Sequence, residues 1–123
     1  MRRAARIALP LLALAGVSAA GVLPALAADQ TVFARNSSFD PGTVALKPGE
    51  TLTIEHDDGS VQHNLKFDDE PARRQEAGTG WIVMRTFGAG EAREPPYGFR
   101  CSLHAGMSGR VYVNEAGAVP TAT

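Results

Sequence analysis

Short runs in which apolar and polar residues alternate, each closed by a turn signal, fill the chain from about residue 30 onward. Leu52 and Ile54 alternate with Thr51, Thr53 and Glu55. Successive side chains of an extended strand point to opposite faces, so this spacing predicts a strand over 51–55 with one buried face. Residues 61–67 repeat the pattern. Val61, His63, Leu65 and Phe67 fall on one face, with Gln62, Asn64 and Lys66 on the other, which puts an imidazole among apolar neighbours. Further β-rich runs predict strands at 31–34, 43–46, 81–87, 97–101 and 109–113. Phe39-Asp40-Pro41-Gly42, Pro48-Gly49 and Asp57-Asp58-Gly59-Ser60 supply turns between them. Residues 68–80 are charged and without a period, and read as a solvated loop with one helical turn at 71–76. The pattern as a whole is that of an all-β sandwich.

The N-terminal stretch breaks this pattern. Arg2, Arg3 and Arg6 precede an apolar run over 7–23, and Ala25-Leu26-Ala27 closes it with small residues. That is the layout of a secretory signal peptide, residues 1–27. Pro10, Gly16 and Gly21 interrupt the run, and a retained membrane helix needs roughly 20 consecutive apolar residues. The domain is then expected at 28–114, followed by a flexible tail over 115–123 that lacks a core pattern. No stable membrane insertion is expected after removal of the leader.

Charge narrows the partners. The leader holds three of the twelve basic residues and none of the thirteen acidic ones, leaving nine against thirteen and a formal charge of −4. A mildly acidic domain argues against nucleic acid, whose phosphates demand clustered Lys and Arg. It permits docking to a basic protein surface.

Cys101 is the one cysteine of an expected exported chain, so it has no internal disulfide partner. Its neighbours suggest its use. Cys101, His104 and Met107 follow one another at a Cys-x2-His-x2-Met spacing between two predicted strands, and His63 is a distant fourth candidate. Thiolate, imidazole and thioether form a soft-to-borderline donor set that suits copper better than calcium or magnesium, and two His, one Cys and a weak Met make an electron-transfer copper site. Two rival readings stand beside it: a copper carrier or buffer using the same ligands, and a cysteine nucleophile activated by His104, which leaves His63 and Met107 without a role. His56, beside Asp57 and Asp58, reads as a surface residue rather than a ligand. Met84 reads as filler, and Trp81 as packing or a partner contact.

These residues resemble the cupredoxins, the small blue copper proteins of the plastocyanin, azurin and amicyanin group. The resemblance spans Phe39-Asp40-Pro41, Lys47-Pro48-Gly49-Glu50, His63-Asn64, Phe87 with Ala89-Gly90-Glu91, Tyr97 to His104 and Gly106 to Val113. The short His104-to-Met107 interval is similar to that of amicyanins. The resemblance implies a Greek-key β-sandwich of seven or eight strands, one type 1 copper held by His63, Cys101, His104 and Met107, and one-electron transfer between transient protein partners. A monomer without catalytic residues is expected, and the leader implies a periplasmic or extracellular location. The resemblance further implies that Asn64 ties to Ser102 and that the Asn64 N–H donates to the Cys101 sulfur. His104 would be the exposed electron port, ringed by Leu103, Ala105, Gly106 and a proline of the Pro95-Pro96 pair.

Overall fold

The computed structural model describes residues 28–121; the signal peptide expected at 1–27 lies outside them. Nine strands form two mixed sheets: β1 (Gln30–Arg35), β2 (Ser38–Asp40), β3 (Thr43–Leu46), β4 (Thr51–His56), β5 (His63–Phe67), β6 (Arg74–Gly78), β7 (Ile82–Thr86), β8 (Arg93–Arg100) and β9 (Ser108–Val113). The order is β3-β9-β8-β5-β6 in the larger sheet and β2-β1-β4-β7 in the smaller. The β3–β9 and β1–β4 pairs are parallel and the others antiparallel. The all-β sandwich is therefore observed, with nine strands in place of seven or eight.

The extra strands have identifiable causes. Ser38–Asp40 pairs with β1 across the Asn36-Ser37 turn, whose φ values of 55° and 57° are those a tight hairpin turn demands. Arg74–Gly78, expected to be a loop with a helical turn, is an edge strand bonded only to β5. Neither face of it packs deeply into the core, so it carries no apolar period, and its charges discourage pairing with another chain. β8 begins at Arg93 rather than near Tyr97 and takes Pro95 and Pro96 into its exposed start. Five to six residues of extended chain, roughly 17–20 Å, then separate those prolines from Cys101. They do not flank the candidate site, which corrects the expected docking patch.

Alternation builds the core as the sequence pattern requires. Leu52 and Ile54 of β4 and Val32 and Ala34 of β1 face Leu65, Phe67, Phe99, Val111 and Val113 of the larger sheet in one buried cluster. Phe99 packs edge-on against Phe39 at 5.0 Å and meets Phe67 at 6.0 Å between ring centroids. Gly109 is required beside it, because a Cβ there would lie 2.6 Å from the Phe99 ring. Burying each such ring contributes about 1.5–3 kcal/mol.

One charge lies inside this core. Arg85 of β7 is 2% exposed, with its guanidinium 4.3 Å from the Phe87 ring centroid, 4.8 Å from Phe67 and 5.3 Å from Tyr97. Asp69 accepts two of its hydrogen bonds at 3.0 and 2.8 Å, and Glu91 accepts one at 3.2 Å. Among the described residues no helix is long and apolar enough to cross a membrane.

Candidate metal centre

Three segments converge where β5 begins and β8 ends. Lys66 pairs with Arg100 and Phe67 with Phe99. Continued two residues further, that register sets Asn64 opposite Ser102, where side chain replaces backbone in the ladder. Asn64 Nδ2 donates to Ser102 Oγ at 2.8 Å, and the Ser102 N–H donates to Asn64 Oδ1 at 2.8 Å. The Asn64 N–H points to Cys101 Sγ at 3.4 Å. Asn64 lies on the strand face opposite His63, yet it is buried, with Cys101 and Ser102 as its partners.

The β8–β9 register, Ser108 opposite Arg100, likewise continues past the strands. The Cys101 N–H donates to the Met107 carbonyl at 3.0 Å and the Met107 N–H to the His104 carbonyl at 3.1 Å. Gly106, at φ 78°, makes the tight return that L-residues avoid. Cys101 and Met107 thus face each other as the two ends of a closed loop with His104 between them. Cys101 and Met107 are buried, and His104 is half-buried.

His63 enters from β5 and is fully buried. Its Nε2 lies 2.8 Å from Asp58 Oδ2. A carboxylate only accepts, so Nε2 carries the proton and Nδ1 keeps its lone pair in the neutral ring. That Nδ1 faces Cys101 Sγ at 3.9 Å. The hydrogen bond from His63 holds the Asp58 carboxyl below its ordinary range. His104 Nε2 donates to the Gln62 carbonyl at 3.3 Å, which leaves its Nδ1 as the free donor atom. The two rings are 4.7 Å apart.

One donor atom each from His63, Cys101 and His104 lies within 4.8 Å of the others. Two donors about 2.0–2.3 Å from one ion, at a trigonal angle, sit roughly 3.7 Å apart, so the 3.9 Å between His63 Nδ1 and Cys101 Sγ is a metal-site spacing. Two imidazoles and one sulfur make a soft-to-borderline set, and it suits one type 1 copper ion.

Around these donors lie residues whose part the sequence left open. Trp81 is buried, and its indole N–H donates to the His63 carbonyl at 2.9 Å. His56 is not a member of the donor group, but neither is it a loose surface side chain. Its ring lies 5.5 Å from that of His63 and 5.9 Å from Trp81, and its Nε2 donates to the Val61 carbonyl at 2.6 Å. Asp58 was read only as part of a turn. Its spacing from His63, across a glycine-containing turn that folds back, was the available signal. Met84 is exposed on the outer face of β7. Val61 and Leu103 are both nearly half exposed; Leu103 precedes His104 in the loop, and Val61 precedes Gln62, whose carbonyl accepts the His104 N–H.

No family model matches the chain, and no curated protein matches it. Solved structures do. A novel purple cupredoxin from Nitrosopumilus maritimus aligns at 24% identity and TM-score 0.55, covering 70% of this chain and 100% of its own. A reduced amicyanin variant aligns at 19% identity and TM-score 0.56, covering 70% of this chain and 82% of its own. The oxidised plastocyanin of Dryopteris crassirhizoma aligns at 19% identity and TM-score 0.56, covering 69% of this chain and 100% of its own. The fold is therefore that of the cupredoxins.

Proposed function

We propose that this protein is an exported one-electron carrier whose copper is held by His63, Cys101, His104 and Met107. The observation that carries this is the convergence of His63, Cys101 and His104 from separate segments to within 4.8 Å, with Met107 closing the same loop. Bound there, copper would supply one reversible electron. The chain's own part is to hold the donors still. Asn64 and Ser102 lock the two ligand-bearing segments together, the Cys101–Met107 backbone bond closes the loop, and Trp81 fixes the His63 backbone. Donors held this firmly need little rearrangement when charge changes, which keeps electron exchange fast. The Asn64 N–H beside the Cys101 sulfur stabilises negative charge there and tunes the potential.

His104 is half-buried beside exposed Leu103 and Val61, a small apolar rim at which a redox donor or acceptor can dock briefly. Plastocyanin and amicyanin among the structural neighbours are described in oxidised and reduced forms, one amicyanin variant as Cu(I), which supports the one-electron reading. The protein transforms no substrate itself in this reading, works as a monomer, and acts in the periplasm or outside the cell after loss of residues 1–27.

The test is the visible spectrum of the Cu(II)-loaded protein beside Cys101→Ser, followed by voltammetry. An intense copper–thiolate band, lost in the variant, with a reversible one-electron wave is the expected result. A faintly absorbing copper complex unaffected by the substitution overturns the proposal.

A further inference from the structure

Asp58 is the one carboxylate in contact with the donor group among the described residues, and its placement is over-determined. Oδ2 accepts the Nε2–H of His63 at 2.8 Å and also the Asn36 N–H at 3.2 Å. The Asp58 carbonyl accepts the Val61 N–H at 3.0 Å. Its neighbour Asp57 is tied to Arg35 by a 2.8 Å ion pair and by its N–H to the Ala34 carbonyl at 3.0 Å. The β1–β2 turn and the 57–61 turn therefore present the carboxylate to His63 in one orientation. The ring it meets has no solvent to turn towards: His63 is fully buried, and the Asp58 side chain is 19% exposed. His56 lies against one side of the ring, and Trp81 holds the His63 carbonyl.

We propose that Asp58 is a positioning residue for the metal centre: its carboxylate fixes the Nε2–H tautomer of His63, aims Nδ1 at the site shared with Cys101, and makes that imidazole a stronger donor. A carboxylate on the far nitrogen of a ligating histidine orients the ring and raises its basicity. A more basic donor beside a fixed negative charge favours the more highly charged metal ion. Asp58 therefore biases the couple toward Cu(II) and lowers its reduction potential. The part of this that concerns copper rests on the function proposed above; the part that concerns the ring does not.

The experiment compares the protein with Asp58→Asn, which keeps an acceptor but removes the charge, and Asp58→Ala, which removes both. In the copper-free protein, nitrogen-15 NMR of the His63 ring reports the tautomer directly. A single Nε2–H form is expected for the parent and for Asp58→Asn, and a mixture of tautomers for Asp58→Ala. In the copper-loaded protein, Asp58→Ala is expected to lose 10–100-fold in Cu(II) affinity. If Cu(I) affinity falls at least tenfold less than Cu(II) affinity does, the potential rises by about 59 mV or more, with a smaller rise for Asp58→Asn. An unchanged tautomer in Asp58→Ala together with unchanged potentials in both variants overturns the proposal and leaves Asp58 as a turn anchor. Should Asp58→Ala not fold, the Asp58→Asn potential decides: a rise supports the proposal and no change overturns it. Should the parent show no copper–thiolate band, the copper reading has failed on its own, and the copper-free NMR decides whether Asp58 sets the ring.

Discussion

Toward one end of the sandwich Arg85 lies among three aromatic rings with Asp69 and Glu91 against its guanidinium; at the other, His63, Cys101 and His104 meet with their lone pairs turned toward one another. Both places bury polar atoms, and burial of such atoms is costly unless they are partnered. The Arg85 end meets that need internally. Its two terminal nitrogens are bonded to carboxylates, and only Nε lacks an acceptor. At the His63 end both ring N–H groups are bonded, to Asp58 and to the Gln62 carbonyl, whereas Nδ1 of His63 faces only a sulfur at 3.9 Å. A cluster closed on itself stabilises the fold, whereas one that leaves convergent lone pairs is built to receive a cation. Substitutions at the two ends should accordingly separate stability from copper chemistry.

The largest expected effect is at the closed end. Arg85→Ala strips Asp69 and Glu91 of their counter-ion and empties the space between Phe67, Phe87 and Tyr97. Breaking a buried pair costs about 3–5 kcal/mol, and the partial exposure of both carboxylates places this one near the lower figure. Urea unfolding of the copper-free protein measures it, and the visible band of the copper-loaded folded protein is expected to be unchanged. A loss below about 1 kcal/mol would erase the distinction between the two ends. Asn64→Ala, unlike Arg85→Ala, reaches the copper chemistry. It removes both bonds to Ser102 and leaves the Ser102 N–H without its acceptor. It is expected to weaken copper binding 10–100-fold, as loss of ligand-orienting partners does, and to cost about 1–3 kcal/mol of metal-free stability. Chelator competition reads the first quantity and urea the second.

How much of this was legible in the sequence differs between the two ends for a physical reason. Period-two alternation announces the strands that bury one face, so β3 was predicted at its observed bounds, Thr43–Leu46, and the inward positions of Leu52, Ile54, Leu65 and Phe67 followed. Arg74–Gly78 was missed because an edge strand need not be amphipathic. The Cys101-to-Met107 spacing is local, so Cys101, His104 and Met107 stand out in the chain alone, whereas the approach of His63 to Cys101 and His104 within 4.8 Å comes from the fold. Asp58 and Trp81 act on His63 through a turn and a neighbouring sheet, contacts that no local spacing encodes. Arg85 was invisible for the same reason, since an arginine in a strand pattern reads as outward-facing until Phe67, Phe87, Tyr97, Asp69 and Glu91 are seen around it.

Gly106 tests the loop of the metal end at a smaller scale. At φ 78° it sits where a Cβ is strained, with open space around it, so Gly106→Ala acts through the backbone alone. A cost of about 1–2 kcal/mol is expected, together with a broadened visible band as the His104-to-Met107 interval adjusts. Stability lost without any change in the band would mean that this turn serves the fold and not the donor geometry.

The smallest effect is a pH dependence that belongs to the closed end. The hydrogen bond from Arg85, with its charge, holds the Asp69 carboxyl below the ordinary value of 3.8 against the opposing effect of burial. An unfolded chain then takes up this proton at higher pH than the folded one, so stability rises with pH across the interval between the two values. The Asp69 contribution is fully present above the ordinary value and is lost as pH falls through the lower, folded one. Asp69→Asn should therefore be less stable than the parent at about pH 6, and the two stability curves should converge below about pH 4. Asp58 and Glu76 are lowered as well and shape both curves alike, so only the difference between the curves isolates Asp69. A gap that persists undiminished to about pH 2 would show that Asp69 holds Arg85 by shape and hydrogen bonding alone, and that the charge pair is not what closes this end of the sandwich.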